Sequence, residues 1–204
     1  MILEDSDRTS EQAARMVGRG GVIAFRTDTF YGLGADPFSR SAVQRIKILK
    51  ERGDNKPILI VISDLDQLDR IVVETSLSFK RLAKTFWPGA LTIIGKANTD
   101  LPADLTAGSG TIGVRLPDDA KVRALVRACG GALTATSANP SGQQPARTAK
   151  EVDEYFADDI DVIVDAGRAK TDQASTVVDA ISDSVTLVRD GAIPWSAIQA
   201  ALTN

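Results

Sequence analysis

An α/β fold is what this chain predicts, on three observations. Helical and strand patterns alternate through most of its 204 residues. The strand-like runs are short and apolar, and clusters of hydroxylated or charged residues follow them directly. The length suits one domain spanning 1–204, long enough to bury a substantial core.

The elements follow in order. Thr9-Ser10-Glu11-Gln12 offers a capping-box start to a helix that ends near Gly18. Gly21 to Phe25 is apolar and bounded by glycines on one side, which predicts a buried strand. Ser41-Ala42-Val43-Gln44 starts a second helix, expected to end near Gly53, and Pro57 to Ile62 is the next strand. Ser76 to Phe86 places Phe79, Leu82, Ala83 and Phe86 on one helical face, and Trp87-Pro88-Gly89 separates it from a strand over Leu91 to Ile94. Thr111 to Leu116 alternates as a strand does. Asp118 to Cys129 carries Val122, Leu125, Val126 and Cys129 at helical spacing, and Gly130-Gly131 stops it. Ala132 to Thr136 is a strand, Thr148 caps a short helix, and Ile160 to Val164 is apolar. Ser175 to Ile181 and Val185 to Arg189 form a hairpin pair, and Pro194 fits the first turn of a closing helix. The irregular stretches, Asn98 to Gly110, Pro140 to Arg147 and Ala166 to Ala174, are loops suited to closing over a ligand.

Composition excludes whole classes of chemistry. Cys129 is the only cysteine and there is no histidine, which removes intramolecular disulfides, Cys/His zinc sites and every histidine-based triad or dyad. The net charge of −3 argues against a globally basic nucleic-acid binder and leaves room for a local basic cleft. No apolar stretch is long enough to span a membrane, and the acidic start Met1-Ile2-Leu3-Glu4-Asp5 does not resemble a secretory signal. A cytoplasmic protein with no membrane partner is the expectation.

Four clusters could do chemistry. Thr27, Asp28, Thr29 and Tyr31 follow the strand at 21–25, and strand ends are where open α/β sheets hold ligands. Lys50-Glu51-Arg52, with Lys56 beyond, lies at a helix carboxyl end, where cations either answer the macrodipole or clamp phosphates. Ser137 and Asn139 are two apart, so an extended backbone puts both on one side, suited to a phosphate or a nucleobase edge; a simple Ser/Asn/Pro/Gly turn is the other reading. Arg115 sits in the apolar strand Ile112-Gly113-Val114-Arg115-Leu116 with no acid nearby in sequence before Asp118, and a buried guanidinium needs an anionic partner from the protein or from a ligand.

Taken together, seven blocks are more specific than any one of them. Thr27-Asp28-Thr29-Phe30-Tyr31-Gly32-Leu33-Gly34-Ala35, Lys50-Glu51-Arg52 and Phe86-Trp87-Pro88-Gly89-Ala90-Leu91-Thr92 come first. Val114-Arg115-Leu116-Pro117, Ser137-Ala138-Asn139-Pro140-Ser141-Gly142, Ser175-Thr176-Val177-Val178-Asp179 and Arg189-Asp190-Gly191 follow. In this order, from about residue 10 to residue 200, the chain resembles the YrdC/TsaC family of threonylcarbamoyl-AMP synthases.

The resemblance implies a YrdC-like single α/β domain with a twisted, mixed parallel and antiparallel sheet around a cationic cavity. It also implies that L-threonine, bicarbonate and ATP become threonylcarbamoyl-AMP and pyrophosphate, for later use by a tRNA-modifying transferase complex. By position, Lys50 and Arg52 match the triphosphate motif and serve as catalytic charge stabilisers. Ser137, Asn139, Arg189 and Thr111 match nucleotide contacts. Thr29, Arg115 and Ser175 match the threonine site, Arg115 facing its carboxylate. Mg²⁺ is expected to arrive with ATP, since no carboxylates are spaced as a dedicated metal site. Some members carry a histidine in the strand corresponding to Pro57 to Ile62, which this chain lacks. Longer members append a second domain, so the chain resembles the short form. The alternatives are an RNA-binding module using the same hollow, with weak RNA binding a possible partner interaction, and the carbamoyl-adenylating module of hydrogenase-maturation proteins.

Overall fold

The computed structural model describes residues 1–51, 56–169, 171 and 173–203. Its centre is a mixed sheet of eleven strands: β1 (Ile2–Glu4), β2 (Ile23–Arg26), β3 (Tyr31–Gly34), β4 (Leu59–Ile62), β5 (Val72–Glu74), β6 (Leu91–Ala97), β7 (Thr111–Arg115), β8 (Ala132–Ser137), β9 (Val162–Asp165), β10 (Thr176–Asp179) and β11 (Thr186–Arg189). The order across the sheet is β1-β9-β2-β3-β8-β4-β7-β6-β10-β11, with β5 beside β6. Pairs β1/β9, β2/β9, β4/β7 and β6/β10 are parallel and the others antiparallel. This is the mixed, helix-flanked sheet that the family resemblance implies.

Among the described residues, seven α-helices flank it: α1 (Asp7–Val17), α2 (Arg40–Leu49), α3 (Leu77–Phe86), α4 (Ala103–Thr106), α5 (Ala120–Ala128), α6 (Ala149–Phe156) and α7 (Trp195–Thr203). Strand alternation sends neighbouring residues to opposite faces. Ala24, Ile60, Ile62, Ile93, Ile112, Val114 and Val178 join the larger core, with Ile46 of α2, Leu82 of α3, Leu105 of α4, Val152 of α6 and Ile198 of α7. Ile23, Phe25, Val61, Leu133, Ala135, Val162 and Val164 face the other way, onto Ala13 and Val17 of α1 and Val122, Leu125 and Val126 of α5. None of the described helices is long and apolar enough to cross a membrane.

Several boundaries differ from the sequence reading. The cap of α1 is Ser6, whose side chain accepts from the Thr9 amide at 3.2 Å, so Thr9 lies inside the helix and its hydroxyl donates to the Glu4 carbonyl. Ser39, not Ser41, caps α2, and that helix stops at Leu49 because Glu51 takes a left-handed φ of 48°, which no helix continues. The expected stop at Gly53 lies outside the described residues. Pro194 stands just before α7, where its carbonyl accepts the Ala197 amide at 3.0 Å.

Strand β3 escapes a propensity reading because two of its four residues are glycine. The fold requires one of them directly: a Cβ on Gly34 would sit 2.7 Å from Cε1 of Phe25. β3 turns back on β2 through Thr27 to Phe30, closed by the Thr27 amide on the Phe30 carbonyl at 2.9 Å.

Candidate active site

Helices α1 and α5 cover only part of their side of the sheet. Further along, the same face of β4, β7, β6 and β10 presents Leu59 and Val61, Gly113 and Arg115, Thr92 and Ile94, and Val177. A cavity of about 390 Å³ opens there, with an apolar floor and polar walls. The β2–β3 turn supplies Thr27, Thr29 and Phe30, β8 supplies Ser137, the residue just before β10 is Ser175, and β11 supplies Val188 and Arg189. The cavity therefore lies over a sheet face, and it draws Thr27, Thr29, Arg115, Ser137 and Arg189 from strand ends, as the sequence suggested for the β2 end.

Gly113 leaves the middle of the floor open. It pairs with Ile94 across the sheet, and a Cβ there would stand 3.0 Å from Cγ2 of Thr92 and 3.4 Å from Cβ of Leu59.

Thr29, Arg115 and Ser175 come together from three distant parts of the chain. Arg115 is only 4% exposed. Its Nε donates to the Gly89 carbonyl at 2.9 Å, one Nη reaches the Thr29 hydroxyl at 3.5 Å, and the other pairs with Oδ2 of Asp28. Its partner in this structure is thus a protein carboxylate 87 residues away in sequence, which corrects the impression of an arginine without a nearby acid. Burial pulls the Arg115 pKa below the usual arginine range, Asp28 opposes the shift, and the charge of Arg189 adds to it. An anion between the two guanidinium groups would relieve that repulsion.

The Ser175 hydroxyl shares a 2.9 Å hydrogen bond with Thr92 and accepts from Nη2 of Arg189 at 3.1 Å. Arg189 also donates through Nε and Nη2 to the Ser175 carbonyl, at 3.2 and 2.8 Å. The residues assigned separately to nucleotide and threonine therefore touch. Thr92, absent from the expected site, was detectable as the one hydroxyl within Leu91-Thr92-Ile93-Ile94. Tyr31 also borders the cavity, with its hydroxyl donating to the Gly167 carbonyl at 2.8 Å, and burial pushes its pKa up to about 12.

Other expected residues are placed differently. Lys50, 3% exposed, does not line the cavity: its Nζ donates to the carbonyls of Ser137 and Asn139, the latter at 2.7 Å, and lies 3.4 Å from Asn139 Oδ1. Asn139 likewise lies behind the wall, its amide donating to the carbonyls of Pro140 and Gln143 at 2.9 and 2.7 Å. Its backbone amide folds back on the Ser137 carbonyl at 3.0 Å, so the backbone between them is a turn and the two side chains do not project together. Thr111 stands one pleat beyond Gly113 on the same face of β7, outside the cavity, with its hydroxyl 3.0 Å from that of Ser109. Arg52 lies outside the described residues. Lys56 is instead the lysine in the wall, so the basic groups of the lining are Lys56, Arg115 and Arg189, and no carboxylate lines it among the described residues.

This arrangement is an α/β fold with a ligand-sized hollow, an apolar floor and a few convergent polar groups, the form that small-molecule sites take. Residues 15–191 match the Sua5/YciO/YrdC family model, which carries the description "telomere recombination", and the chain belongs to that family. It is 36% identical to threonylcarbamoyl-AMP synthase of Bacillus subtilis over 98% of its length but spans only 58% of that relative. It is 35% identical to the protein of that name from Idiomarina loihiensis, covering 85% of this chain and 95% of the relative. Among solved structures, P. abyssi Sua5 complexed with L-threonine superposes with a TM-score of 0.94 at 32% identity, over 98% of this chain and 60% of that one.

Proposed function

We propose that the protein is a threonylcarbamoyl-AMP synthase, making threonylcarbamoyl-AMP and pyrophosphate from L-threonine, bicarbonate and ATP. The product would be passed to a tRNA-modifying transferase complex. The names of the relatives and the threonine complex of a similar structure support the reading. The observation that carries it is the convergence of Thr29, Arg115 and Ser175 on one cavity.

The chemistry asks for positioning and charge stabilisation more than for a strong base. The free amine of threonine and bicarbonate give a carbamate and water. A carbamate oxygen then attacks the α-phosphorus of ATP, and the bond to pyrophosphate breaks. Arg115 holds the threonine carboxylate, with the hydroxyls of Thr29 and Ser175 beside it. Lys56 and Arg189 offer positive charge to the phosphates, together with Arg52 as assigned from the sequence. Lys50 acts on the nucleotide only through the Ser137–Asn139 turn that it holds. Among the described residues no three Asp, Glu, Cys or His side chains cluster as a metal site, so Mg²⁺ enters as part of the ATP substrate, held by phosphate oxygens and water.

Arg115→Lys keeps the charge but loses the planar fork. It should raise the KM for threonine by at least about tenfold and leave ATP affinity nearly unchanged. Separate calorimetric titrations check this, and weakened ATP binding with intact threonine binding would move Arg115 to the phosphate site.

A further inference from the structure

We infer that Asp28, which borders no part of the cavity itself, is the positioning residue that fixes the Arg115 guanidinium for a ligand carboxylate. The inference rests on the threonine reading above and adds a residue to it.

The Asp28 carboxylate differs from those that shape turns elsewhere in the protein. Asp36, Asp165 and Asp179 each accept the backbone amide two residues on, at 2.9, 2.9 and 3.0 Å, and so shape their own turns. Asp28 accepts no such bond among the described residues. Its Oδ2 pairs with Arg115, and its Oδ1 is buried with no partner among the described residues. A largely buried carboxylate, 18% exposed, thus pairs with Arg115.

The turn that carries it is held by other groups. Thr27 Oγ1 donates to the Phe30 carbonyl at 2.8 Å, accepts the Thr29 amide at 3.1 Å and shares a 2.9 Å bond with the Thr29 hydroxyl. Removing the Asp28 carboxylate therefore leaves the turn's own network intact.

A planar guanidinium is fixed by two of its nitrogens, and the Gly89 carbonyl takes Nε while Asp28 takes one Nη. The remaining Nη points to Thr29, 3.5 Å away, and Thr29 lines the cavity. Without Asp28 the buried group would keep one anchor and no compensating charge, and it could turn about Nε.

The test is calorimetry of threonine and of ATP, titrated separately into the wild type, Asp28→Ala and Asp28→Asn. Asp28→Ala should bind threonine at least about tenfold more weakly with ATP affinity within about twofold of wild type, because only the carboxylate's anchor is disturbed. Asp28→Asn, which keeps an acceptor for Arg115 but no charge, should fall between the two, and it carries the test if the alanine variant fails to fold. Threonine binding as tight as wild type in both variants, or tighter, would overturn the inference and make Asp28 a competing counter-ion. A wild type that binds ATP but takes up no threonine would instead overturn the reading on which it rests.

Discussion

Lys50 shows how much of a side chain's role depends on contacts no sequence displays. Its place at the end of α2, two residues before Arg52, is compatible with a phosphate clamp, yet its ammonium lies on the oxygens of Ser137 and Asn139. Those carbonyls belong to a turn some 87 residues away. Lys50→Met preserves length and removes the donors, and each buried carbonyl left unpaired costs about 1–3 kcal/mol. The variant should melt several degrees lower and lose nucleotide affinity together, since at this size a change of 1 kcal/mol moves Tm by about 2–4 °C. Thermal unfolding and turnover measured on the same sample distinguish the roles. Unchanged Tm with turnover down by about 10²-fold would restore direct phosphate contact. Arg115 was the more legible residue, because a cation in an apolar strand demands a partner; that the partner is Asp28 emerges only when the β2–β3 turn folds over β7.

At the scale of elements, hydrophobic period located the helices and strands whose apolar residues fill a core. The face of α3 with Phe79, Leu82 and Ala83 and the cap at Thr148 appear as read. Short elements with little to bury were not legible: β1 and β5 are three residues long, and α4 is a single turn. Glycine hid β3, where it permits close approach to Phe25, and glycine also shapes the site in β7. Gly113 is flanked by Ile112 and Val114, which point into the larger core, so a side chain at 113 enters the cavity alone. Gly113→Val should leave unfolding cooperative and weaken both threonine and ATP by at least about tenfold, because overpacking at a fitted site costs roughly 1–3 kcal/mol. Titrations that match wild type would show that the substrates do not lie over this floor.

For the whole molecule, one sheet divides its labour by face. The side under α2, α3, α4, α6 and α7 is core throughout, whereas the side under α1 and α5 is core only as far as those helices reach. Short apolar runs announced buried strands but not where the second cover would stop, since that depends on strand order and on β8 lying between β3 and β4. The cavity is the uncovered remainder, and the sequence supplied its contents, Thr29, Arg115, Ser175, Ser137 and Arg189, better than its location. Whether this cavity joins three substrates is decided by pyrophosphate release from ATP. With MgATP, threonine and bicarbonate all present, release should be sustained, and leaving out either threonine or bicarbonate should abolish it; release that proceeds equally fast without threonine would contradict the account.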